Sequence, residues 1–325
     1  MKKLLKVLGI LVVSILLIIL IAIAYVKFAL PDVGPAPQMT IERTAERQAR
    51  GNYLANTVMS CMDCHSKRIE TQFSLPMIES TRGEGGQRFD QTMGFPGVFY
   101  SANITPTGIG DWTDGEIYRA ITTGVRKSGK PIFPVMPYHS YGFADPEDVK
   151  SLVVYLRSLP PKDNVVPASS ADFPMSIILN TIPVKAQPMT MPSRGDTVAY
   201  GKYLFTIASC FDCHTPFEKG KFDEAFAYAG GRSFPVPGGI VTSANITPDK
   251  ETGIGTWTRE MFLSRFTSYR DSTNAHRQVG PGEMQTIMPW TMYGNMTDGD
   301  ISSIYAYIQT LQPKKHLVVK FKPGT

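Results

Sequence analysis

From Val7 to Val26 the chain runs for 20 residues without a charge, VLGILVVSILLIILIAIAYV. At about 1.5 Å per residue, a helix of that length spans the roughly 30 Å hydrocarbon core of a membrane. Two later stretches have a different pattern. Val149, Leu152, Val153, Leu156 and Leu159 recur at helical spacing, and so do Ile301, Ile304, Tyr305, Ile308 and Leu311. Each set predicts an amphipathic helix with one buried face. Asp145-Pro146 and Thr297, with Asp300 three residues on, are suitable helix starts. No β-rich region stands out, so the expected fold class is all-α with helical cores.

Lys2, Lys3 and Lys6 precede the apolar run, which predicts a cytoplasmic amino terminus and export of everything after Lys27. The alternative is a cleaved signal peptide, with Ala22–Ala24 as its small-residue site; the run is longer than the usual apolar region of such a peptide, which favours a retained anchor. With Lys27, these lysines account for four of the five net positive charges, leaving the rest about neutral. Nothing therefore argues for a nucleic-acid partner.

The exported part is written twice. GNYLANTVMSCMDCH (Gly51–His65) matches GKYLFTIASCFDCH (Gly201–His214), and SANITPTGIGDWT (Ser101–Thr113) matches SANITPDKETGIGTWT (Ser243–Thr258). FPVMPYHSYG (Phe133–Gly142) matches TIMPWTMYG (Thr286–Gly294), and each copy ends in one of the amphipathic helices. Two long copies indicate duplicated domains rather than a solenoid. The expected organisation is an anchor over 1–30, a proline-rich stalk over 31–44 and a first domain over 45–160. A proline-rich linker over 161–192, a second domain over 193–313 and a solvated basic tail over 314–325 follow.

The chain has 4 cysteines, and all lie in these repeats: Cys61 and Cys64 before His65, and Cys210 and Cys213 before His214. C-x-x-C-H is the attachment motif of c-type haem. Thiols three apart on one turn face the same way and can bond both vinyl groups, while the next histidine supplies an imidazole to the iron. Zinc knuckles stand about 15–20 residues apart, much closer than Cys64 and Cys210, and a thioredoxin-like pair requires a βαβ context. Two covalently bound haem c groups are therefore the expected cofactors.

Met136 and Met288 occupy equivalent places in the two copies, and each precedes a proline, which biases it towards extended loop. Both are the candidate second axial ligands, so the expected iron ligands are His65 with Met136 and His214 with Met288. His139 competes for the first iron, but its counterpart is Thr291, so at most one haem could be bis-histidine. Met292 reads as packing, and His276 and His316, without repeat partners, read as exposed. Trp112 and Trp257 are walls beside the haems, either packed or bonding a propionate through the indole N–H.

Both copies resemble class I cytochrome c domains: a first helix with glycine and an aromatic (Gly51 and Tyr53, Gly201 and Tyr203), then C-x-x-C-H, a methionine loop and a closing helix with a tyrosine (Tyr155, Tyr307). The resemblance implies two tandem class I domains whose first and last helices cross closely at the glycines. The segments Asn103–Thr113 and Met136–Tyr138 are more narrowly similar to the cytochrome c subunits of bacterial membrane-bound alcohol and sugar dehydrogenases, which typically carry three haem motifs where this chain has two.

Irons closed by histidine and methionine exchange electrons and leave no site for a small substrate. The expected function is a membrane-anchored di-haem electron relay on the periplasmic face of the cytoplasmic membrane, between a quinol-oxidising complex or dehydrogenase and a terminal oxidase. The alternatives are a di-haem oxidoreductase or peroxidase with one open haem, or a fixed haem subunit of a respiratory supercomplex.

Overall fold

The computed structural model describes residues 1–324. The apolar run forms a single helix, Lys2–Phe28, whose side chains are almost all exposed. It is the one helix among the described residues long and apolar enough to cross a membrane.

Each half that follows is framed by a leading and a closing helix. In the first half these are Ala45–Asn56 and Pro146–Ser158; in the second they are Thr197–Ile207 and Asp298–Ile308. Every start is capped by a side chain: Thr44, Asp145, Asp196 and Thr297 each accept a hydrogen bond from a first-turn N–H. The closing helices bury the faces their periodicity predicts, with Val149, Leu152, Val153, Ile301 and Ile308 all essentially inaccessible. Full burial of such a side chain contributes roughly 1.5–3 kcal/mol. Leading and closing helices cross at glycine in both halves. A Cβ on Gly51 would lie 1.9 Å from the Ser151 carbonyl oxygen, and one on Gly201 would lie 1.8 Å from that of Ser303. The close crossing implied by the resemblance is present twice, and no larger residue fits at either point.

The structure also contains small sheets that the hydrophobic pattern did not reveal. β1 (Arg88–Phe89) pairs with β2 (Gly97–Tyr100), which pairs with β3 (Ser170–Ala171). β4 (Phe217–Glu218) and β5 (Lys221–Phe222) form a hairpin, and β6 (Ser233–Val236), β7 (Gly239–Thr242) and β8 (Phe321–Pro323) form a second three-stranded sheet. All pairings are antiparallel. Strands of two to four residues are too short for a period of two to register, which is why an all-helical fold was expected. The protein is helical at its core, with small sheets at its edges.

β3 and β8 lie in the segments expected to be linker and solvated tail. In each half the chain leaves the closing helix and returns as an edge strand. The backbone N–H of Lys162 donates to Thr105 Oγ1 and that of Lys314 to Thr247 Oγ1, both at 3.2 Å. Asn103 Nδ2 donates to the Lys162 carbonyl and Asn245 Nδ2 to the Lys314 carbonyl, at 2.8 and 2.7 Å. His316, expected to be exposed, is partly buried, with Nδ1 3.0 Å from the Ala229 carbonyl oxygen. The start of the tail is thus part of the packed structure.

The halves share one continuous hydrophobic core. Tyr53 of the first leading helix donates to Asp300 Oδ2 and accepts from the Thr297 N–H; Tyr203 of the second donates to Asp148 Oδ2 and accepts from the Asp145 N–H.

Candidate haem-binding site

Each cysteine motif is a short helical segment, Cys61–Cys64 and Cys210–His214, entered through a serine in the left-handed region: Ser60 at φ 48° and Ser209 at φ 58°. No disulfide joins the thiols. Burial pushes the Cys61 thiol up to about 12 and Cys213 up to about 11, and raises Cys64 and Cys210 as well. None of the four has the depressed pKa of a redox-active pair. Among the described residues no trio of cysteine, histidine or acidic side chains gathers in a metal-binding cluster, so nothing supports the zinc alternative.

The two histidines are held alike. His65 Nδ1 lies 2.7 Å from the Ala102 carbonyl oxygen and His214 Nδ1 2.8 Å from that of Ala244. A carbonyl only accepts, so Nδ1 carries the proton in both rings and the Nε2 lone pair is free for an iron. Desolvation lowers both pKa values, which keeps the imidazoles neutral. Both acceptors are the alanine of a Ser-Ala-Asn block. The asparagine then secures the block: Asn103 Oδ1 accepts from Thr105 N–H and Oγ1, and Asn245 Oδ1 from Thr247 N–H and Oγ1. The role of these blocks is to aim the histidine, which sequence reasoning missed.

It also missed the glycine pairs. Gly85 N–H donates to the His65 carbonyl at 2.9 Å and Gly230 N–H to that of His214 at 2.8 Å. Gly86 and Gly231 then donate to Ser101 and Ser243, stitching each motif to its Ser-Ala-Asn block. Gly85 and Gly230 have φ of +70° and +73°, and a Cβ on either would meet the opposing backbone within 2.4 Å. A Gly-Gly after each motif was the available signal.

Met136 and Met288 are placed alike at the start of one-turn helices, Tyr138–Tyr141 and Trp290–Tyr293, each capped by the proline between. Tyr141 donates to the Met59 carbonyl and Tyr293 to that of Ala208, both at 2.8 Å, tying each methionine segment to the chain just before its cysteine motif. In the second half Cys210, Cys213, His214 and Met288 line one cavity of about 300 Å³. In the first, Cys61, Cys64 and His65 share their turn, and Met136 packs partly buried against the core.

His139 Nε2 lies 2.8 Å from Asp212 Oδ1, between the cysteines of the other half, so that nitrogen is already engaged. Met292 is buried packing, and His276 is exposed beside Gln72. Trp257 lines the second cavity as a wall, while the Trp112 carbonyl accepts from Arg157.

The lining of the second cavity fits a haem in its chemistry. The walls are mainly aromatic and aliphatic, as a flat macrocycle requires, and the two charged residues among them, Arg265 and Lys320, are basic. Both suit propionate carboxylates. Arg265 lies 4.4 Å from the centre of the Trp290 ring and is thereby oriented.

The cytochrome c family matches residues 198–312. The gluconate 2-dehydrogenase cytochrome c subunit of Pantoea cypripedii is 32% identical over 285 residues, 82% of this chain and 59% of that protein. The fructose dehydrogenase cytochrome subunit of Gluconobacter japonicus is 29% identical over 278 residues, 82% of this chain and 53% of that one. The chain therefore spans a little over half the length of these larger relatives. A diheme cytochrome c-type protein of Cereibacter sphaeroides is 32% identical over 235 residues, covering 69% of this chain and 74% of its own length. Similarity of that extent to a relative of comparable size joins the cysteine–histidine turns to a known lineage: the chain belongs to the cytochrome c family, whose members bind haem c covalently and transport electrons.

Proposed function

We propose that the protein is a membrane-anchored di-haem cytochrome c, with tandem class I domains over 45–160 and 193–313, that relays electrons on the periplasmic face of the cytoplasmic membrane. The observation that carries this reading is the second cavity, where His214 and Met288 line the same space as both thiols. The matched bonds from His65 and His214 to Ala102 and Ala244 extend it to the first half. Bound haem c supplies a reversible one-electron iron couple at potentials set by its axial ligands. Cys61, Cys64, Cys210 and Cys213 would anchor it, His65 and His214 would each offer a neutral Nε2, and Met136 and Met288 would close the opposite faces. With both methionines as ligands, neither face would leave a position for peroxide or another small substrate, so the reading is a carrier rather than a peroxidase.

The names of the relatives support a dehydrogenase as the electron donor; a terminal oxidase as the eventual acceptor is part of the proposal alone. The helix Lys2–Phe28 supports the anchor, and its flanking lysines the orientation. The test is purification in mild detergent from native membranes. The expected preparation has two haems per chain, an uncleaved amino terminus and a co-purifying dehydrogenase whose substrate reduces both haems. Rapid carbon monoxide binding by the reduced wild-type protein would overturn the closed-iron reading and favour an enzyme with an open haem.

A further inference from the structure

The methionine segment of the second half is held from outside that half. Residues 69–75, just after the first cysteine motif, lie against residues 277–290. Phe73 N–H donates to the Arg277 carbonyl and Val279 N–H to that of Thr71, both at 2.8 Å. Gln285 is fully buried, and its amide spans the junction: Nε2 donates to the carbonyls of Glu70 and Gln72 at 3.1 and 2.8 Å, and Oε1 accepts from Ser74 N–H at 2.9 Å. The Ser74 hydroxyl, also buried, donates to the Met288 carbonyl at 2.6 Å and accepts from Trp290 N–H at 2.9 Å. It thus grips the backbone on both sides of the Met288-Pro289 bond. Ser74 and Leu75 reach this position at φ of +70° and +50°, a conformation non-glycine residues hold only where surrounding contacts impose it. Phe73 lines the second cavity itself.

We infer that Ser74 and Gln285 are positioning residues for the Met288 thioether, so that the first half sets the axial ligation of the second haem. The inference rests on the proposal that Met288 is an axial ligand. A methionine on a loop ligates firmly only if its backbone is held near the bound position, because every alternative conformation of the loop competes with the bond. Ser74 and Gln285 are a hydroxyl and an amide that remove those alternatives from across the junction between halves. The two halves do this differently: in the first, Asp212 of the second cysteine motif takes the His139 and Ser140 side chains, whereas Ser74 holds the backbone of Met288 and Trp290 directly.

The test uses the full-length haem-loaded protein and four variants: Ser74→Ala, Gln285→Glu, Met288→Ala and Met136→Ala. The readouts are the near-infrared sulfur-to-iron absorption, carbon monoxide binding by the reduced protein, the potential of each haem, and amide exchange over residues 284–292. Losing one buried hydrogen bond shifts a bound-to-free ratio by roughly tenfold. Ser74→Ala should therefore keep the first haem's signals, raise the carbon-monoxide-accessible fraction of the second by roughly that factor, and lower that haem's potential alone. It should also speed amide exchange at Trp290. Gln285→Glu keeps the size and the acceptor but loses the donors, and should act in the same direction. Should Ser74→Ala fail to load the second haem, Gln285→Glu decides alone. If Met288→Ala opens the second haem while Ser74→Ala and Gln285→Glu leave its potential and carbon monoxide binding unchanged, the two residues are contacts between halves only and the inference is overturned. If Met288→Ala itself leaves the second haem closed, the ligand reading has failed, and the inference falls with it.

Discussion

The Tyr53 hydroxyl lies 2.6 Å from Asp300 Oδ2, joining residues from opposite ends of the duplicated sequence, and Tyr203 stands in the same relation to Asp148. The leading helix of each half thus binds the start of the other half's closing helix. The two bonds are not equivalent, because Asp148 also receives a bidentate pair from Arg50 at 2.7 Å, whereas no cationic side chain pairs with Asp300 among the described residues. Tyr53→Phe should cost about 1–3 kcal/mol by leaving a buried carboxylate short of a donor, and Tyr203→Phe should cost less. Urea unfolding of the haem-loaded protein checks the order. Equal losses would mean that Arg50 does not compensate.

Met136→Ala and Met288→Ala should each remove about half of the near-infrared sulfur-to-iron absorption and open one haem to carbon monoxide. Each should also move one potential within the roughly 0.8 V range that axial ligands control. His139→Ala should leave both haem spectra as they are, since its ring is turned to Asp212. Loss of the first haem's spectrum in His139→Ala, with Met136→Ala silent, would make that iron bis-histidine.

Gly85→Ala and Gly230→Ala put a methyl group against the backbone that receives the histidine, at φ values an L side chain adopts at a cost of about 1–2 kcal/mol. Each should lower haem recovery at its own half. Mass spectrometry of the two cysteine-motif peptides reads the effect directly; unchanged loading in both variants would show that the glycine stitch is dispensable for attachment.

Removing residues 314–325 should destabilise the second half. The bonds from Lys314 to Thr247 and Asn245, the Ala229–His316 contact and the β7–β8 pairing would all go, at about 1 kcal/mol for each hydrogen bond lost. Limited proteolysis should then cut near the Ser243–Thr247 block first. A free, solvated tail would leave the digestion pattern unaltered.

The candidate site was legible because its residue types stand at fixed spacing: cysteine pairs, the following histidines, and methionines in matched places whose ligation is a proposal. The helix crossings were legible through Gly51 and Gly201. What aims the histidines was not, because the Ala102 and Ala244 acceptors are main-chain carbonyls, which every residue has. The junction between halves was hidden for another reason. Ser74 with Met288 and Tyr53 with Asp300 are separated by most of the chain, and a serine or tyrosine carries no mark of its distant partner. The edge strands escaped because two residues cannot display a period.

The late-arriving edge strands impose an order on maturation. A chain that emerges amino end first presents His65 and the Ala102 carbonyl long before Ser170–Ala171 appear to complete the first sheet, and that half then lacks only what the second supplies, such as the bonds with Tyr203 and Asp212. The second half is then formed against a neighbour already in place, with residues 69–75 waiting for Gln285 and Met288. The duplicated halves are alike in architecture, but in the growing chain the first can serve as a template for the second, never the reverse.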